Sequence, residues 1–442
     1  MQVFMKTKSL FRTFSARFFI GTAAAIAAIW MYAEALPTHS EVIPAHLTDT
    51  GNEKETKPAR ATPDEFIIFG WGAIPDFQEG ESWGDFADMD AVMRDMYDCG
   101  LNATTFIYVK NLKYARKNNL MGMLQPTYYP STPQQVDAWV NKMMDSITDP
   151  LDRDAVFAIF TADEPSTSLF PLLKNCSEAL RKQGVRPYIN ILSERGFTHN
   201  YPKDNYQEYL DQFVDLCKPS YLSFAYYAFL QDGQFYEDRF CNNIELIRKK
   251  SLETGIPFLN VILSCAHLQF AEPTEAMLSF QVYATLAYDG KGIGYFTYFT
   301  GQKGNYRLAP IDRFGYRTKT WGMMRNVNLQ VHSLVPVYKK LQSVNVFHTG
   351  NVPQYGRDIN SAKTVQSVNG DSLLIGEFIH SEDGKPYVMV VNKSIRSSVA
   401  LDVKFKEEGR IMIVSQFNQG RVHFVDEQKW LAPGSGVLLT VE

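Results

Sequence analysis

Much is missing from this chain of 442 residues, and each absence excludes a class of function. Five cysteines (Cys99, Cys176, Cys217, Cys241 and Cys265) are scattered with no CxxC pair. They offer no zinc spacing and no disulfide framework, and read as small hydrophobes inside helix and strand patterns. The eight histidines include no HxH pair, which removes the strand-end ligand sets of metal-dependent barrel hydrolases. No metal site and no cofactor are implied. No Lys/Arg run occurs beyond the N-terminus and the formal net charge is only -4, so no nucleic-acid partner is expected. The glycine-rich nucleotide turn is absent too, because "GWGAIPDF" after the first apolar run does not open a helix. No internal repeat is present.

What is there begins with an export signal. Lys6, Lys8, Arg12 and Arg17 precede an apolar run of 15 residues, Phe18 to Tyr32, and "AEA" (Ala33 to Ala35) follows as a small-x-small cleavage site. That run is short of the roughly 20 residues a span needs. Residues 1–35 are therefore expected to be a signal peptide, giving a periplasmic or secreted protein without stable membrane insertion after cleavage. Residues 36–63 are polar, Pro-containing and aperiodic, and read as a flexible leader.

From residue 66 a regular alternation starts. Eight short apolar runs read as strands: 66–71, 103–109, 121–125, 156–161, 186–192, 220–229, 258–264 and 292–300. Segments with helical spacing lie between them, such as "DMDAVMRDMYDCG", with Met89, Val92, Met93 and Met96 on one face and Gly100 as a stop. Continuous apolar strands suit a parallel sheet covered by helices. The 235 residues from 66 to 300 match the roughly 250 typical of a (β/α)8 barrel. The fold class expected is thus α/β, a TIM barrel over residues 64–344, followed by an all-β sandwich over 345–442. "SLLIGEFIHSEDGKPYVMVVNKS" in that tail reads as a hairpin.

In a barrel the chemistry sits at the C-terminal ends of the strands. Those ends carry acids, amides and aromatics with one histidine. Strand 1 ends in Trp71, with Asp76 and Glu79 beyond it, and strand 3 is followed by Gln125, Tyr128 and Tyr129. Strand 4 ends in Asp163 and Glu164, and strand 5 offers Asn190, Ser193 and Glu194. Strands 6 to 8 offer Tyr226, Tyr227 and Asp232, then Ser264, His267 and Glu272, then Tyr295 and Tyr298. Acids for proton transfer beside aromatics for the flat faces of a ring suit carbohydrate chemistry. Glu164 would be the proton donor and Asp163 its charged neighbour, raising the donor's pKa. Pro165 is expected to hold Glu164 extended. The other reading makes both acids mere favourable charges at the N-terminus of a helix starting near Leu169, capped by Ser166 or Ser168.

The segments "FGWGAIPDF", "ADEPS", "KPSYLSFAYYAF" and "AYDGKGIGYFTYFT", in this layout, resemble clan A glycoside hydrolases. The resemblance is nearest to the family 42 β-galactosidase-like barrels of Bacteroides-type bacteria. It implies an oligosaccharide or polysaccharide substrate and maps the acid/base glutamate at strand 4 onto Glu164. The clan's nucleophile, a glutamate ending strand 7, has no counterpart in "FLNVILSCAHLQFAEPTEA". Asp76, Asp232 and Glu272 are the candidates for a second carboxylate. Trp71, Tyr128, Asn190, Tyr227, His267 and Tyr295 are the candidates for substrate binding. The adjacent Asp-Glu is also similar to that of family 20 hexosaminidases, where the substrate's own 2-acetamido group is the nucleophile and a tyrosine, here Tyr227 or Tyr295, holds its carbonyl. The remaining alternative is a barrel that binds glycan without cleaving it.

Overall fold

The computed structural model describes residues 60–442, apart from 73, 76–80, 202–204, 419 and 426–428. The expected signal peptide, nearly all of the expected leader, and Asp76 and Glu79 lie outside the described residues. Eight parallel strands close into a barrel in chain order: β1 (Ile67–Trp71), β2 (Ala103–Ile107), β3 (Met121–Leu124), β4 (Val156–Asp163), β5 (Pro187–Ile191), β6 (Leu222–Ala225), β7 (Phe258–Leu263) and β8 (Gly292–Phe296). All eight runs legible in the sequence are strands, but several stop early. β6 and β8 end at residues 225 and 296, before the apolar stretch itself ends. Of the apolar residues left over, Tyr226 and Tyr227 line the barrel mouth, while Phe229, Tyr298 and Phe299 pack into the outer core.

The helices are α1 (Met89–Asp98), α2 (Leu112–Lys117), α3 (Val136–Asp145), α4 (Pro150–Asp154) and α5 (Phe170–Lys182) in the first half of the barrel. α6 (Glu194–Asn200), α7 (Tyr206–Cys217), α8 (Glu237–Thr254), α9 (Glu275–Ala287) and α10 (Lys319–Tyr338) complete it. α1 shows how they are specified. Asp88 accepts a hydrogen bond from Ala91 N at the start, Val92, Met93 and Met96 are buried, and Gly100 takes the positive φ of 89° after the end. Inside the barrel, alternate residues such as Phe69, Met123, Phe157, Phe160, Tyr188 and Leu259 make a separate packed core. All five cysteines are buried and free. Among the described residues no helix is long and apolar enough to cross a membrane.

The C-terminal part contains β9 (Leu341–His348), β10 (Val365–Asn369), β11 (Leu373–His380), β12 (Pro386–Asn392), β13 (Val399–Ala400), β14 (Asp402–Phe405), β15 (Ile411–Val414), β16 (Arg421–His423), β17 (Trp430–Leu431) and β18 (Gly436–Val441). Six of them form one antiparallel sheet ordered β16-β15-β18-β12-β11-β9, and β10-β14 and β13-β17 form two short pairs. Period-2 alternation explains how it stacks. Leu373, Ile375, Val388, Val390 and Val437 face the short pairs. Leu374, Phe378, Met389, Val391 and Leu438 face the helices of the barrel. Fully burying such a side chain contributes about 1.5–3 kcal/mol, so a sheet buried on both faces ties the β part firmly to α9.

Gly376 is what allows the two to come so close. A Cβ there would overlap the backbone carbonyl of Ala287 at the end of α9. Backbone cannot swing aside as a side chain can. Gly376→Ala is therefore expected to cost about 3 kcal/mol, read as a lowered midpoint in denaturant unfolding. A midpoint within a few tenths of wild type would show that the contact yields freely.

Candidate active site

Strand β4 carries one residue more than its partner. Phe160 pairs with Tyr188 and Asp163 with Asn190, yet Ala162 pairs with Ile189, so Thr161 bulges out of the ladder. The bulge sets the direction of Asp163. Phe160 packs inside the barrel while Ala162 packs on the helix side. Strict alternation from Phe160 would have kept Ala162 inward and turned Asp163 outward. With Thr161 inserted, Asp163 faces inward, and Asn190 Nδ2 donates to its Oδ1 at 3.0 Å. Asn190 is itself held from below: Ser223 Oγ donates to Asn190 Oδ1 at 3.0 Å, and Tyr188 Oη lies 2.6 Å from Ser223 Oγ.

Glu164 does not have the extended backbone expected of a residue before proline. Its φ is +46°, in the left-handed region. Two successive side chains of an extended strand point to opposite faces, so a turn at this position is what lets Glu164 enter the same cleft as Asp163. The conformation is strained, since Cβ and the following proline both disfavour it. It is clamped from both sides: Glu164 N donates to Asn190 O at 2.7 Å, and Tyr209 Oη donates to Pro165 O at 3.0 Å. Glu164→Gly should relieve the strain and stabilise the chain by about 1 kcal/mol in denaturant unfolding, although it removes the carboxyl. Unchanged or lower stability would remove the argument that function holds this backbone in place.

The helix-capping alternative for the two acids fails on geometry. A single 3-10 turn, Thr167–Leu169, intervenes before α5, and the first turn of α5 holds no acidic residue. Ser166 and Ser168 bond each other through their hydroxyls, 2.7 Å apart; Ser166 precedes the 3-10 turn, but neither side chain makes a capping hydrogen bond.

Asp163 and Glu164 lie in a cleft of about 560 Å³ at the C-terminal mouth of the barrel, lined also by Trp71, Asn190, Tyr226, Tyr227, His267 and Phe296. Both carboxyls touch solvent through the open mouth, yet protein crowds them from the other sides. That desolvation raises the pKa of each. For Asp163 the Asn190 hydrogen bond opposes the rise, whereas for Glu164 the negative charge of Asp163 adds to it. The hydrogen bond thus favours the charged form of Asp163, while nothing offsets the rise at Glu164.

The facing wall is aromatic. Tyr227 packs edge-on to His267 and Phe270, with centroids 5.6 and 5.2 Å away, and His267 stacks on Tyr306 at 5.2 Å. Burial, with the nearby Cys265, Asp163 and Glu164, holds the Tyr227 phenol neutral well above its usual range. Burial likewise lowers the His267 pKa. Its Nδ1 lies 3.1 Å from Cys265 O, a carbonyl that can only accept, so Nδ1 carries the proton and Nε2 presents a lone pair. Tyr226 and Tyr227 both line the cleft, because β6 ends at Ala225 and strand alternation no longer sorts them.

Other candidates are placed elsewhere. Trp71 lines the cleft but packs 5.0 Å from Phe106 and 5.9 Å from Phe160 as the lid of the barrel core. Tyr295 is fully buried on the helix side and donates to Asn328 Oδ1 at 2.6 Å, because Gly292, Gly294 and Phe296 are the inward residues of β8. Tyr128 belongs to a neighbouring hollow of about 440 Å³ after β3, shared with Tyr108, Gln125, Trp139 and Lys142. Asp232 closes a local turn by accepting from Gln234 N, and Glu272 pairs with Arg307 at 2.8 Å. Neither lines the cleft. At the end of β7, Ser264 Oγ donates to Thr297 O and Cys265 is fully buried. Asp163 and Glu164 are the only carboxylates among the described residues that line the cleft. Two arginines there, Arg195 and Arg239, were missed in the sequence. The available signal was a cation in the first turn of a helix that follows a barrel strand.

No family model and no curated protein matches the chain. Among solved structures, it is similar to the β-galactosidase from Bacillus circulans sp. alkalophilus, with a TM-score of 0.54 and 8% identity over 86% of this chain and 99% of that one. It also aligns with the β-galactosidase from the psychrophilic Marinomonas ef1 at a TM-score of 0.47 and 9% identity, covering 63% of this chain. That match takes in only 62% of the Marinomonas enzyme's own length. A family 51 α-L-arabinofuranosidase, AbfB from Bifidobacterium longum, aligns at 0.46 and 9% identity over 87% of this chain and 97% of that one. These neighbours are glycoside hydrolases. At such identities the likeness is one of fold, here a parallel eight-stranded barrel carrying a β domain.

Proposed function

We propose that the chain is an exported glycoside hydrolase in which Glu164 protonates the glycosidic oxygen of the departing sugar. The observation that carries this reading is the Asp163–Glu164 pair, turned into one cleft by a bulge and a left-handed residue, with the donor's pKa raised. A protonated carboxyl beside an aromatic wall fits an oxocarbenium-like transition state, which needs acid at the leaving oxygen and flat surfaces against the ring. The fold shared with the Bacillus β-galactosidase adds to it, and the family 42 likeness of the sequence makes β-galactosides the first substrates to try.

A second reading concerns the nucleophile, and one observation favours it: no carboxylate other than this pair lines the described part of the cleft. A substrate 2-acetamido group would then attack the anomeric carbon. Asp163 would hold its N–H, and the neutral Tyr227 hydroxyl would donate to its carbonyl. A panel of chromogenic glycosides separates the readings. Turnover of N-acetylhexosaminides but not plain hexosides selects substrate assistance, and turnover of plain hexosides requires a carboxylate from outside the described residues, such as Asp76. Binding of glycans with no turnover on any member would overturn hydrolysis in favour of a glycan-binding barrel. Export is tested by the N-terminus of the mature protein, expected at Leu36.

A further inference from the structure

Arg195 and Arg239 stand in the cleft with no carboxylate of their own. Each has acidic sequence neighbours, yet among the described residues none of these forms an ion pair with it. Glu194 lines a different hollow, with Tyr206 and Glu245. Glu237 pairs with Lys393 at 2.8 Å, and Asp238 accepts from Asn351 Nδ2 at 2.6 Å. Among the described residues neither arginine forms an ion pair. Both line the cleft beside Tyr226, and the Arg239 guanidinium sits 4.3 Å over the Tyr236 ring.

Helix stability does not explain the placement. Arg239 is the third residue of α8, where the helix dipole disfavours a cation. The two arginines bring two positive charges into a cleft whose only described carboxylates are Asp163 and Glu164. A guanidinium offers paired, planar donors that match a carboxylate or sulfate far better than a sugar hydroxyl.

We infer that the cleft is built for an acidic saccharide, with Arg195 and Arg239 receiving an anionic substituent, either a uronate carboxylate or a sulfate ester. This inference rests on the glycosidase reading and narrows its substrate class. The test is calorimetric titration of the full-length Glu164→Gln protein, which cannot turn the ligand over under that reading. Three oligosaccharide sets of matched linkage serve as probes: neutral, uronate-containing and sulfated. An acidic set is expected to bind about ten- to a hundredfold more tightly than the neutral one. Whichever acidic set is preferred identifies the anion. In the Arg195→Ala/Arg239→Ala double variant the acidic-to-neutral ratio is expected to fall toward one. Arg195→Lys/Arg239→Lys, which keeps the charge and loses the fork, should fall between, and guards against misfolding of the alanine variant. Neutral and acidic sets binding equally would overturn the inference while leaving the glycosidase reading standing. An acid preference that survives the double variant would overturn the assignment to these arginines. Failure of all three sets to bind, with no turnover by wild type, would overturn both.

Discussion

Glu164→Gln should reduce kcat on a natural glycosidic linkage by about a hundred- to ten-thousandfold, the usual contribution of a positioned general acid. The substitution keeps the size and polarity of the side chain and removes only the transferable proton. The loss should therefore depend on the leaving group. An aryl glycoside that departs as a stable phenolate needs little protonation and should lose much less. The pH profile sharpens the assignment. Desolvation and Asp163 raise the Glu164 pKa, so wild-type activity should persist as pH rises past the range of an ordinary glutamic acid and fall only when Glu164 ionises. That alkaline limb should disappear in Glu164→Gln. Because Asp163 contributes to the rise, Asp163→Asn should move the limb toward lower pH. Steady-state rates across pH on a poor and a good leaving group check all of this. Full activity of Glu164→Gln on the natural linkage would end the proposal.

The barrel was legible because its signal is coarse and repeated. Eight apolar runs at regular spacing survive errors of several residues at each end. The candidate site was half legible for the same reason: counting strands places Asp163 and Glu164 at the mouth whatever their local geometry. What the sequence did not reveal depends on single-residue phase. Nothing in "VFAIFTADEP" announces that Thr161 will bulge, yet that one residue decides whether Asp163 meets solvent or helix. The same phase rule turned Tyr295 away from the cleft. Pro165 argued for an extended Glu164, and tertiary clamps on Asn190 O and Pro165 O overrode that local preference. The arginines were invisible for a different reason. Whether a charge is paired is a property of space, and the acids beside Arg239 in sequence turn out to serve other partners.

The β domain should prove to depend on one carboxylate in the same all-or-none way. Glu377, on the face of β11 that meets the short strand pairs, has no solvent exposure. Its two oxygens accept from the backbone N–H groups of Lys363, Thr364 and Val365, from Thr364 Oγ1 and from Asn345 Nδ2, at 2.7 to 3.0 Å. It is the nail that fixes the segment leading into β10 onto the six-stranded sheet. Glu377→Ala would strand several buried donors at once, each costing about 1–3 kcal/mol, so a loss above about 4 kcal/mol is expected. Glu377→Gln, which can still accept through one oxygen, should cost less. These donors outweigh the desolvation and hold the Glu377 pKa below that of an ordinary glutamate. A depressed folded-state pKa adds stability above the unfolded-state value and forfeits it as pH falls through the folded-state value. Wild type should therefore lose stability on acidification below the usual glutamate range, and Glu377→Gln should show a shallower loss across the same window. Chemical unfolding of the three proteins at neutral and acid pH measures both effects, and equal acid sensitivity in wild type and Glu377→Gln would place the titrating group elsewhere.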